Sequence, residues 1–180
     1  MDIKHSRIAS AFGLEGEAWV RHANPWSVYT RIPIVAALVL AVWSRDWIGW
    51  WSLLPIALVA AWTVVNPTAF PLPRSLDHWA SKAVLGERCW TNRSSVPIPA
   101  GHRRAPNVLA AISALGVPVL VWGLVVLDVW MVLTGLAVQT IGKTWFLDRM
   151  VWLYDDMQRQ PGGRLDGKEQ HATKGDSSAS

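Results

Sequence analysis

The sequence predicts an all-α polytopic membrane protein: four transmembrane helices as two antiparallel hairpins, with an interfacial helix in the central cytoplasmic loop. Three observations carry that prediction. Of the 180 residues, 51% are hydrophobic and only 17% charged, too apolar for a soluble domain of this length. Thirteen aromatic residues are Trp, against three Phe and two Tyr. Indole collects at membrane–water boundaries because it is apolar over most of its area and polar at its N–H. Finally, Lys and Arg are distributed unevenly among the connections, as the elements below show.

Residues 1–25 are polar to amphipathic and lack the apolar core of a cleavable signal peptide. Ile8, Phe12, Leu14 and Trp19 would form one side of a short interfacial helix, broken at Asn24-Pro25. The first span is Trp26–Trp43, with Arg31 about one turn inside it and Pro33 near a helix start. Ser44-Arg45-Asp46 turns the chain into a second span, Trp47–Val65, which ends at Asn66-Pro67 and should kink at Pro55.

The long loop 66–105 opens on a proline-rich run. Ser75 is then placed to N-cap a helix, LDHWASKAVLGE, that lies on the membrane surface and stops at Gly86. Pro106–Leu127 is the third span, where Gly116 and Gly123 allow close packing around Pro118. Asp128 alone separates it from the fourth, which runs from Val129 to Met157 with no Pro, and with no Gly after Gly142. Residues 1–160 thus form one transmembrane domain. Residues 161–180, rich in Gly, Ser and charge, form a disordered cytoplasmic tail.

The short connections hold Arg45 and no other Lys or Arg, whereas the central loop holds Arg74, Lys82, Arg88, Arg93, Arg103 and Arg104. Both termini are basic too, so the positive-inside rule puts them and the central loop in the cytoplasm. The net charge of +4 suits an anionic leaflet; without basic–aromatic strand motifs it does not point to nucleic acid. The single cysteine, Cys89, excludes an internal disulfide and a cysteine-based metal site.

The strings NPWSVYTR (24–31), VLGERCW (84–90) and KTWFLDRMVWLYDDM (143–157) resemble those of a family of short, uncharacterised prokaryotic membrane proteins. The resemblance spans roughly residues 10–157. It implies a membrane location and brings no activity with it.

Trp145, Asp148, Trp152 and Asp155 step by three, four and three, so they share one helix face. One reading is an acid, Asp148, kept protonated by burial between indoles that stabilise a developing cation. Glu87 would be a second donor or the proton acceptor, Trp79 a further wall, and Arg31 or Arg149 would tune the acid. The competing reading is an aromatic belt plus an ion pair of Asp148 with Arg149 or Arg31. Asp155-Asp156 would hold Mg²⁺ only if a diphosphate were bound, and solvation of a helix end explains the pair as well. His22, His78 and His102 lack metal-ligand spacing. Arg31, Arg74, Arg88 and Lys143 fit either a phosphate clamp or positive-inside anchoring.

No phosphate loop, nucleophile elbow or redox cysteine pair occurs, and no cofactor is called for. The expectation is therefore an enzyme acting on a hydrophobic, isoprenoid-like molecule by acid-initiated chemistry at the cytoplasmic face. It is similar in general character to small membrane-bound terpene cyclases, with no shared motif. The alternative is a non-catalytic assembly or lipid-binding module. Its partners would be membrane lipids, a second copy or another membrane protein, met through small-residue faces such as Ala57-xxx-Ala61.

Overall fold

The computed structural model describes residues 17–95 and 97–159, and every regular element among them is helical. The expected N-terminal interfacial helix falls mostly, and the expected tail wholly, outside the described residues.

Helix α1 (Glu17–His22) leads into α2 (Pro25–Arg31) across the predicted break. Asn24 caps α2, its Oδ1 accepting the Trp26 N–H at 2.9 Å, and Pro25 takes the first helical position, where no intrahelical donor is needed. Pro33 has no N–H to continue the ladder, so the chain restarts as α3 (Ile34–Trp43). The first expected span is therefore built from two helices.

A short α4 (Arg45–Ile48) and a 3₁₀ turn (Gly49–Ser52) reverse the chain, with Gly49 at φ 56°. Trp47, Trp50 and Trp51 on this turn are 71%, 87% and 77% exposed.

Helix α5 (Leu53–Ala69) corrects two expectations. It starts late enough that Pro55 falls in its first turn, where the missing N–H costs little, instead of at a mid-span kink. It also runs through Asn66-Pro67, with Pro67 inside the helix. Asn66 is fully buried there: its Oδ1 accepts from Ser27 Oγ at 2.9 Å and its Nδ2 donates to Thr30 Oγ1 at 2.8 Å. These bonds offset the local cost of the proline.

Helix α6 (Trp79–Thr91) begins after His78, not after Ser75, whose Oγ instead accepts the Asp77 N–H at 3.2 Å within a turn. Nor does Gly86 stop it. Gly86 sits where α6 crosses the last helix, and a Cβ there would run into the Met150 backbone carbonyl. The apolar face of α6 (Ala80, Ala83, Val84, Cys89) is buried against the rest of the protein.

Helix α7 (Ala105–Val126) follows the 3₁₀ turn Ala100–His102 and carries Pro118 in its interior. Leu127 closes it in the left-handed region at φ 56°. The Asp128 carboxylate then accepts the Met131 N–H at 2.9 Å and starts α8 (Val129–Arg159), unbroken as the sequence predicts. The α7–α8 interface is lined by glycines. A Cβ on Gly116 would stand 2.6 Å from Gln139 N, one on Gly123 2.7 Å from Val132 N, and one on Gly142 2.7 Å from Ser113 N.

Beyond Gly142, α8 forms a core with α6 in which Met150 and Leu153 are completely buried, each worth about 1.5–3 kcal/mol. Two helical stretches, Pro25–Ala69 and Ala100–Val126, are long and apolar enough to cross a membrane.

Candidate functional site

The site lies where the N-terminus of α6 meets the charged half of α8. Thr140, Thr144 and Asp148 recur every four residues along α8, beside Ile141 and Trp145. Trp79, the first residue of α6, closes the other side. Together these six residues line an open groove of about 510 Å³. The Trp79 indole Nε1 donates to Asp148 Oδ1 at 3.3 Å, and Trp145 is 54% exposed.

Three of the foreseen residues, Asp148, Trp145 and Trp79, thus come together, and the others go elsewhere. Glu87 accepts from Lys143 Nζ at 3.0 Å, so it faces a cation instead of the groove. Arg31 donates through Nε to Ser27 O at 3.0 Å and through its terminal nitrogens to the ring and carbonyl of His22. Arg149 lies over the Trp152 ring at 4.6 Å, and neither residue lines the groove. The expected ion pair of Asp148 with Arg149 or Arg31 does not form among the described residues.

The acidic pair is also occupied. Asp155 meets Lys82 Nζ at 3.0 Å, while Asp156 meets His102 Nε2 at 2.8 Å and Arg159 at 3.7 Å. These contacts tie α6 and the 3₁₀ turn to the end of α8. Among the described residues no group of three or more His, Cys, Asp or Glu side chains could hold a metal ion.

A second polar cluster joins α1, α2, α5 and α6. Asn24 Nδ2 donates to Pro71 O at 3.0 Å and Ser81 Oγ to Ala23 O at 2.7 Å, beside the Ser27–Asn66–Thr30 bonds. His22 belongs to it, and its ring pKa is pushed down to about 3, first by burial and then by Arg31 and Lys143. Burial likewise pushes the Cys89 thiol up.

Sequence reasoning missed the Thr140/Thr144 wall, although the four-residue spacing up to Asp148 was there to be read. It also missed Ser27 and the burial of Asn66, which depend on helices far apart in the chain. No curated protein and no solved structure matches the chain. Over residues 3–171, beyond both ends of the expected 10–157, it matches a group described as "Family of unknown function (DUF6653)". The chain belongs to the DUF6653 family.

Proposed function

We propose that this is a four-span protein of the cytoplasmic membrane, with both termini and the central loop inside, whose groove receives a hydrophobic small molecule. The two apolar stretches and the Lys/Arg asymmetry support the topology. So does the placement of exposed tryptophans: Trp47, Trp50, Trp51 and Trp130 gather around the short connections, and Trp26, Trp145 and Trp152 toward the charged end. Helix α8, at 1.5 Å per residue, is about 46 Å long against a hydrocarbon core of about 30 Å, so its charged end stands clear of the lipid. Labelling from either side tests this. Asp46→Cys and Asp128→Cys should react from outside and Ser95→Cys only from inside. Native Cys89 adds little background because it is buried.

The observation that carries the binding reading is the groove itself, with apolar and aromatic walls and one carboxylate at its head. Acid-initiated chemistry on an isoprenoid is a second reading, favoured by the two indoles that flank the acid. Asp148 would protonate an alkene carbon, the indole faces would stabilise the carbocation, and a carboxylate would take the final proton. The open side of the groove favours binding, since a carbocation needs water excluded. Hydrophobic metabolites from cells with and without the gene separate the two readings. A product that depends on the gene, and falls about 100-fold or more in Asp148→Asn at unchanged folded yield, supports chemistry. An unchanged metabolite profile, with a molecule still bound to purified protein, supports binding alone.

A further inference from the structure

Asp148 differs from the other acidic groups around it. Glu87, Asp155 and Asp156 each face a cation, whereas Asp148 has only the Trp79 N–H as a partner among the described residues. The two cations nearest in sequence are turned aside. Lys143 Nζ reaches Glu87 and stands 4.8 Å from the Phe146 ring centre, and the Arg149 guanidinium lies over Trp152. A carboxylate with no ion pair among the described residues therefore heads a groove whose walls include two indoles, Thr140, Thr144 and Ile141.

Indole faces are negative and so is the carboxylate, and both attract a positive charge; neither offers a donor to an anion. The Trp79 N–H is already taken by Asp148. Ile141, 62% exposed beside the groove, provides the apolar bed for a chain. From this charge complementarity we propose that the groove holds a membrane amphiphile with a positively charged nitrogen, the nitrogen at Asp148 between Trp79 and Trp145 and the chain along α8. The proposal rests on the groove reading above and adds the charge of the occupant's head.

The test uses the full chain in nanodiscs of neutral lipid, with decyltrimethylammonium, decanol and decanoate as probes. Equilibrium binding is measured to wild type, to Asp148→Asn and to Thr144→Trp, the last filling the groove from an exposed position and giving the lipid-partitioning blank. The ammonium probe should bind wild type about five- to tenfold more tightly than decanol, with decanoate weakest. The preference should shrink with added salt and vanish in Asp148→Asn, while decanol binding changes little. Equal binding of ammonium and alcohol, or a preference that survives in Asp148→Asn, would overturn the cationic head and leave the groove reading intact. Binding of every probe no better than to Thr144→Trp would remove both. Tetramethylammonium without a chain should compete poorly, and competition equal to that of the decyl probe would overturn the amphiphile assignment. Thermal unfolding of each variant confirms that the comparison is between folded proteins.

Discussion

Helices α7 and α8 meet backbone to backbone through glycines, whereas neither α3 nor α5 contains a glycine, and α5 leaves most of its side chains exposed. In the first pair Gly116, Gly123 and Gly142 remove the side chains that would hold the helices apart, and Ser113 Oγ donates to Gln139 O at 3.0 Å across the seam. In the second pair Leu54, Leu58, Val64 and Val65 are exposed, as are both alanines of the Ala57-xxx-Ala61 face. That hairpin is fastened at three places: Val39 against Leu120, Leu124 and Val132; Arg45 donating to the Leu124 carbonyl; and the buried polar cluster at its base. In the proposed membrane setting no water would drive apolar surfaces together, and close packing and hydrogen bonds would hold the helices in contact. One hairpin uses chiefly the first device and the other chiefly the second.

The largest effect should come from filling a close approach. Gly86→Leu puts a branched side chain where α6 crosses the Met150 backbone, and neither backbone can yield without unmaking the shared core. A loss of about 3 kcal/mol or more is expected, read as a collapse in folded yield and unfolding temperature. Near-wild-type stability would show that α6 does not depend on that crossing.

A smaller effect should follow from cutting the polar fastening. Asn66→Ala leaves the Ser27 and Thr30 hydroxyls without their buried partner, at a cost of about 1–3 kcal/mol. The loss should fall on the N-terminal hairpin. Proteolysis should therefore cut near residues 66–78 before it reaches the α7–α8 pair, and equal susceptibility of both would erase the distinction between the hairpins.

This contrast was only half legible in the sequence. Gly116 and Gly123 announced close packing because a glycine pair in an apolar run has few other uses, and the unbroken run from Val129 announced α8. Asn66-Pro67 looked like a terminus because local rules weigh a proline without knowing that Ser27, thirty-nine positions earlier, would hold the asparagine. Gly86 looked like a stop for the same reason, since its contact with Met150 is invisible at short range. In the site, the helical spacing correctly put Trp145 and Asp148 on one face. It could not say that Arg31, Glu87 and Arg149 would each find a nearer partner.

The remaining effect is a dependence on pH, read as a slope and not as a single loss. His22 stays neutral in the fold because its pKa is pushed down to about 3, while in the unfolded chain it titrates near 6.5. Below that value the unfolded chain binds more protons, so the stability His22 contributes is full above pH 6.5 and is lost as pH falls toward 3. His22→Gln should flatten the upper part of this fall, above the carboxylate range near pH 4, in unfolding temperatures measured against pH. An identical slope in both proteins would mean that His22 is solvated in the fold.

The groove between α6 and α8 is the central claim, and native mass spectrometry of protein released gently from its membrane tests it most directly. Wild type should carry a hydrophobic molecule of defined mass, and Thr144→Trp, equally stable, should carry none. The same adduct on both proteins, or on neither, would contradict the claim that this groove is where the molecule is held.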